Sequence, residues 1–152
     1  MTVPFWIAGK PVTSAETVVV RHPFDGGEAG AHYVPSTSDI EAAVQAAHDA
    51  ADELATLPAH VRAGALDHVS HRLGQRSEEI AQLITAESGK PLKWARGEVG
   101  RAVSTFRWAA EEARRFSGEL QRLDTDAGGT GRLALVRRVP KGPVLGITPF
   151  NF

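Results

Sequence analysis

Between Ser38 and Phe116 apolar residues return every three or four positions. This constrains the chain more than any other feature, because it commits much of its length to helices that each have one face to bury. The first stripe is Ile40, Val44, Ala47, Ala51 and Leu54. Alanine among its members lets the helix approach a partner closely. Ser38 and Glu41 stand three apart and read as a capping box at its start. Pro58 opens a second helix, since its missing N–H falls in the first turn, where no acceptor is available. Val61, Leu66, Val69 and Leu73 supply that helix's face. Gly74 weakens the pattern and Ser77 offers a fresh cap before Ile80, Leu83 and Ile84, so residues 59–87 are expected as two helices or one kinked helix. Glu87-Ser88-Gly89-Lys90-Pro91 is a stop, with glycine in the left-handed C-terminal position and proline two residues later. The longest helix then runs from Leu92 to about Phe116, with Val99, Val103, Phe106, Ala110 and Ala113 on one face. Gly97 and Gly100 inside it each cost roughly 1 kcal/mol relative to alanine, which points to close packing against another backbone.

Short strands flank the helical region. Phe5-Trp6-Ile7, a turn at Ala8-Gly9-Lys10-Pro11 and Val18-Val19-Val20 read as a strand pair, and residues 29–34 as a further strand after the turn-rich link 21–28. After Gly118, residues 119–124 and 132–139 read as strands joined by a Gly-rich turn at 126–131. Gly128-Gly129-Thr130-Gly131 does not lead into a helix whose N-terminus might hold a phosphate, so the dinucleotide fingerprint is not met. The exposed apolar edge of this hairpin seeks a partner strand.

Composition excludes several classes. The hydrophobic fraction is 42%, the charged fraction 23% and the net charge −1, which gives no electrostatic reason to expect nucleic acid or a membrane surface as partner. There is no basic-then-apolar leader and no apolar run long enough to span a bilayer, so a soluble, cytoplasmic chain is expected. With no cysteine, disulfides, thiolate metal sites and a cysteine nucleophile within this chain are excluded. His68 and His71 are three apart with Asp67 adjacent, but one helix face does not close a metal site, and solvated histidines are the expectation.

The last sixteen residues carry the chemistry. Basic residues lead into Pro140-Lys141-Gly142-Pro143, a short apolar strand is expected over Val144 to Ile147, and Thr148-Pro149 breaks it to present Asn151 between Phe150 and Phe152. Ligands bind outside the strand ends of open α/β sheets. A neutral amide there offers N–H donors to a developing oxyanion without changing charge. Equally, Asn151 suits an ordinary turn after proline.

The pattern Arg138-x-Pro-x-Gly-x-x-x-x-Ile-x-Pro-Phe-Asn-Phe152 resembles a segment of the aldehyde dehydrogenase superfamily that usually reads Pro-x-Gly-Val…Ile-x-Pro-Trp-Asn-Phe-Pro. Glu87-Ser-Gly-Lys-Pro91 resembles that family's Glu-Thr-Gly-Lys-Pro, with Lys90 read here as part of the helix stop, and the amino-terminal turns resemble its amino-terminal arm. Glu98-Val-x-Arg101 and Pro149-Phe-Asn151 resemble the branch containing the non-phosphorylating glyceraldehyde-3-phosphate and lactaldehyde dehydrogenases. The resemblance implies an α/β fold: the amino-terminal part of the aldehyde dehydrogenase architecture, with short strands, three to four helices, an oligomerisation hairpin and the first strand of a Rossmann-like sheet. Residues 1–152 would be an incomplete amino-terminal portion of the cofactor-binding domain, and residues 119–139 part of the arm through which family members form dimers or tetramers.

The implied activity is oxidation of a small aldehyde to a carboxylic acid with NAD or NADP, through a thioester on a cysteine that this sequence does not contain. Asn151 would hold the oxyanion, Ile147, Thr148, Pro149 and Phe150 would line the cofactor, and Phe152 would sit beside the substrate. Arg101 would bind an anionic substrate, because a guanidinium pairs with phosphate or carboxylate through two parallel hydrogen bonds; a surface ion pair with a neighbouring carboxylate is its other reading. Without cysteine or the water-activating glutamate the 152 residues alone are expected to be inactive and to fold marginally. A non-catalytic helical module that pairs with a longer relative through the 119–139 hairpin is the alternative.

Overall fold

The computed structural model describes residues 2–148. Two small strand systems open the chain. β2 (Phe5–Ile7) and β3 (Lys10–Val12) form an antiparallel hairpin. It is closed by Ala8 and Gly9, both at positive φ (48° and 74°), the conformation that matches a two-residue turn to strand twist. β1 (Thr2–Val3) runs parallel to β5 (Glu28–Tyr33), which pairs antiparallel with β4 (Thr17–Arg21), in the order β1-β5-β4. The strand pair expected between Phe5–Ile7 and Val18–Val20 is therefore two separate pairings. The reason is local closure: the 8–9 turn folds β2 onto β3, and the 22–27 turn, tied by His22 N–H to Gly27 O at 2.8 Å and Gly26 N–H to His22 O at 2.9 Å, folds β4 onto β5.

The helices are α1 (Thr37–Asp49), α2 (Ala51–Thr56), α3 (Ala59–Gln75), α4 (Ser77–Ser88) and α5 (Leu92–Arg115). The first two are separated only by Ala50. The capping box of α1 is Ser36 with Asp39, two residues earlier than the expected Ser38 and Glu41. Ser36 still has extended backbone (φ −74°, ψ 167°), its Oγ accepts from the Asp39 N–H at 3.2 Å, and the Asp39 carboxylate accepts the Ser36 N–H at 2.9 Å. Ser38 lies inside the first turn. The break expected near Gly74 falls at Arg76 (φ −102°), which caps α4 without a side-chain bond, so Ser77 is the first helical residue rather than the cap. Gly89 ends α4 in the left-handed region at φ 72°. A Cβ there would also meet the Pro23 ring at 3.3 Å, so the helix stop docks against the β4–β5 turn.

Small residues make the core. Ala63, Ala81, Ala95 and Ala110 are fully buried and Val99 nearly so, while no large side chain is fully buried among the described residues. Ala81 of α4 meets Ala95 and Val99 of α5, with Ile80, Ile84 and Leu92 around them. Ser70 of α3, itself buried, donates its hydroxyl to the Val103 carbonyl of α5 at 2.8 Å. The stripe of α1 and α2 behaves differently from expectation. Ile40, Val44 and Leu54 are 53–58% exposed, because the three-helix contact uses α3, α4 and α5 and leaves this face outside it. The accessible surface, 11809 Å², compares with about 7,500 Å² for a compact monomer of this mass.

Gly97 and Gly100 do not mark a close approach: a Cβ on either meets nothing within 4 Å among the described residues, since both lie on the outer side of α5. β6 (Glu119–Arg122) and β7 (Leu133–Val136) form the second hairpin, in the register Glu119 to Val136. The strand expected over Val144–Ile147 is not formed within the described residues. A strand exists only with a ladder partner, and Val144, Leu145 and Ile147 are 83–85% exposed with none.

Replacing Gly89 by alanine is expected to destabilise the fold by about 1–2 kcal/mol, the cost of left-handed backbone at a residue with a Cβ. Urea denaturation followed by circular dichroism measures this, and an unchanged midpoint would contradict the reading of the stop.

Candidate functional site

Arg101 stands on the exposed side of α5, opposite the face that buries Ala95, Val99 and Ala110. Trp94 and Trp108, seven residues to either side on the same face, are 63% and 59% exposed. Arg101 forms no ion pair or side-chain hydrogen bond among the described residues, so the ion-pair reading of this residue finds no partner there. The neighbouring arginine is different. Arg96 meets Glu78 of α4 through two hydrogen bonds of 2.8 Å. Those bonds hold the Glu78 carboxyl below, and the Arg96 guanidinium above, their ordinary ranges.

Two of the signature segments meet in space. Lys90, just past the Gly89 stop, forms an ion pair with Glu98 on α5, and its side chain is only 11% exposed. Its N–H also donates to Ser88 Oγ at 3.3 Å, and that hydroxyl donates to Ile84 O at 2.6 Å. The helix stop, the start of α5 and the turn carrying Pro23 therefore form one assembly one turn from Arg101. This pair was not found by sequence reasoning. A spacing of eight across a proline matches no helical period, so the only signal was the opposite charge of two residues in adjacent signatures.

Of the predicted cofactor and oxyanion residues, Ile147 and Thr148 lie in an exposed segment without helix or strand. Pro149, Phe150, Asn151 and Phe152 lie outside the described residues. No hydrogen bond or ion pair joins Arg101 to Ile147 or Thr148 among the described residues. A groove of about 640 Å³ between α1–α2 and residues 137–144 is floored by alanines and touches neither Arg101 nor Ile147 nor Thr148 among the described residues. No helix is long and apolar enough to cross a membrane among the described residues. Those residues also hold no group of three or more His, Cys, Asp or Glu side chains able to bind a metal ion, and His71 is bonded to Gln75 at 2.8 Å.

The sequence pattern of the aldehyde dehydrogenase family matches residues 10–152. The chain belongs to that family. The 3-sulfolactaldehyde dehydrogenase of Priestia aryabhattai is 34% identical over 146 residues, covering 96% of this chain and 30% of the relative. Among solved structures, aldehyde dehydrogenase 21 from Physcomitrella patens, in complex with the reaction product succinate, superposes with a TM-score of 0.83 at 38% identity, over 90% of this chain and 28% of that one. The NADP-dependent glyceraldehyde-3-phosphate dehydrogenase of Bacillus halodurans, complexed with NADP, gives 0.81 at 32% identity, over 89% of this chain and 29% of that one. The α/β architecture is thus the amino-terminal part of an aldehyde dehydrogenase fold, and the chain spans less than a third of these family members.

The described part of the predicted cofactor segment is Ile147 and Thr148. Residues 144–148 offer exposed apolar side chains, the Thr148 hydroxyl and backbone groups without backbone partners among the described residues, a donor set suited to an apolar ring bearing a carboxamide. Among the described residues nothing comparable suits the adenosine half, because the Gly128–Gly131 turn runs into β7 rather than a helix.

Glu78 gives this aldehyde dehydrogenase segment a defined acid response. A carboxylate with a depressed pKa in the fold adds stability above its ordinary range, and that stability is lost as pH falls through the folded-state value. Thermal melts from pH 7 to pH 3 are expected to show a falling midpoint that is shallower in Glu78→Gln; identical slopes would remove the Arg96 pair from the account.

Proposed function

We propose that this chain supplies part of the cofactor-binding domain of an aldehyde dehydrogenase that oxidises a small anionic aldehyde to a carboxylic acid with NAD or NADP, in the cytoplasm. The observation that carries the anionic part is Arg101, an exposed guanidinium without an ion-pair partner among the described residues. A sulfonated aldehyde in the name of one relative and succinate bound to one structural neighbour support it.

In this reading Arg101 binds the anionic end of the substrate through two parallel hydrogen bonds, and Phe152 packs beside its carbon chain. Asn151 donates its amide N–H to the oxyanion that forms when a thiolate from outside these 152 residues attacks the carbonyl. Ile147, Thr148, Pro149 and Phe150 line the nicotinamide end of the cofactor, the aromatic ring of Phe150 forming a wall without an indole donor. A bound nicotinamide supplies acceptance of a hydride. The 152 residues alone have no turnover, because they contain no cysteine. The β6–β7 hairpin, with residues 119–139, serves as the arm for dimers or tetramers, with neither nucleic acid nor membrane as a partner.

A second reading rests on the same hairpin. Leu120, Leu133 and Leu135 are 61–81% exposed, and a non-catalytic module would use them to pair with a longer relative.

The test is to express the whole reading frame containing this chain and assay it with NAD and NADP on carboxylated, phosphorylated and neutral aldehydes. Turnover is expected, and Asn151→Ala is expected to lower it by ~10²–10³, the usual cost of one oxyanion donor. A frame that encodes no cysteine and yields no turnover would favour the module. An active enzyme indifferent to Asn151→Ala would overturn the role given to that residue.

A further inference from the structure

Only one acidic side chain on α5 is placed to occupy Arg101. Residues three or four apart are neighbours on a helix, and those positions around Arg101 hold Gly97, Glu98, Ser104 and Thr105. Glu98 even stands in the favourable order, carboxylate on the N-terminal side of the cation. Its carboxylate nevertheless turns away from Arg101 to Lys90.

We infer that Lys90 is a positioning residue for Arg101: by holding Glu98 it keeps that carboxylate off the neighbouring guanidinium, and Arg101 stays open to an anion. The functional meaning of this inference rests on Arg101 binding the substrate's anionic end, while its structural content rests on the Lys90–Glu98 pair alone.

Lys90 outcompetes Arg101 for physical reasons. Its backbone is fixed by the left-handed Gly89, by Pro23 beside that glycine, and by the bond from its own N–H to Ser88 Oγ. It sits at the carboxyl end of α4, where the helix dipole favours a cation. Its side chain and that of Glu98 are 11% and 26% exposed, and charges withdrawn from water attract one another more strongly than charges on an open helix face. An Arg101 side chain reaching for Glu98 would have to give up more freedom for a more screened contact.

The test uses phenylglyoxal, a dicarbonyl that adds to neutral guanidines and is slowed by a neighbouring carboxylate, on the product of the whole reading frame that contains this chain. Peptide mass spectrometry reads each arginine separately. Arg101 is expected to react faster than the paired Arg96 and Arg114. Lys90→Met is expected to slow Arg101 about twofold, the scale of an exposed helix ion pair, and Lys90→Met with Glu98→Gln is expected to restore the original rate. That rescue is what a merely structural lysine would not give.

An Arg101 rate unchanged in Lys90→Met overturns the inference. Acceleration of Arg96, Arg101 and Arg114 together also overturns it, because Lys90 would then serve the stability of the fold. A second variant leaves Lys90 untouched: Thr105→Glu places a carboxylate four residues beyond Arg101 and is expected to slow it to a similar degree. An indifferent rate there would remove the premise that a nearby acid closes Arg101. None of these readings involves turnover. A failure here leaves Arg101 as a substrate ligand, and an Arg101→Ala enzyme that keeps its preference for anionic aldehydes leaves the Lys90–Glu98 result intact.

Discussion

The close approach of α3, α4 and α5 is the contact on which the rest of the structure depends. It is made by alanine. With Ala63, Ala81, Ala95 and Ala110 fully buried, the helix axes come near enough for a side chain on one helix to reach the backbone of another, as Ser70 reaches Val103 O at 2.8 Å. Bulkier residues would hold the helices apart, and overpacking such a contact typically costs 1–3 kcal/mol. The same economy limits what the contact can supply. Small side chains remove little apolar area from water, and the accessible surface of the chain stays well above that of a compact monomer of equal mass.

Charge pairs then flank the packed face of the long helix. α5 is tied to α4 by Arg96 with Glu78, to α3 by Arg114 with Asp67, and to the helix stop by Glu98 with Lys90. The first two are exposed pairs of the kind that contribute little individually. The apolar face of α5 sets its rotation, with the buried alanines inward and Arg101 outward, and the charged rows flank that face. Within this arrangement the ion pairs leave out two arginines of α5, Arg101 and Arg107; Arg107 lies over the Trp108 ring, and Arg101 is the functional candidate.

Much of this was legible in the sequence, and the parts that were not have identifiable causes. The stop at Gly89 was readable because two independent requirements coincide there, a left-handed residue and a following proline. The extent of α5 was readable from its period. The start of α1 was ambiguous because two serines two residues apart each precede an acid by three, Ser36 with Asp39 and Ser38 with Glu41, and only the backbone conformation at Ser36 decides between them. Gly97 and Gly100 misled for a similar reason, since a glycine's tolerance of close approach does not say which face it occupies. The strand pattern of Val144 to Ile147 states which residues suit a sheet but not which neighbour completes it. The family, by contrast, was carried by three short signatures in order, Glu87-Ser-Gly-Lys-Pro91, Glu98-Val-x-Arg101 and Pro149-Phe-Asn151, and the match over residues 10–152 bears it out.

Three features meet on α5: helix packing without large side chains, ion pairs that engage most of its charges, and an arginine left open on its outer face. The most direct measurement is a crystal structure of the product of the whole reading frame with an unreactive carboxylate or sulfonate analogue of the aldehyde. The anionic group is expected within hydrogen-bonding distance of the Arg101 guanidinium, with Lys90 and Glu98 still paired behind it. An analogue held elsewhere, with Arg101 engaged by Glu98 or by another carboxylate of the protein, would contradict it.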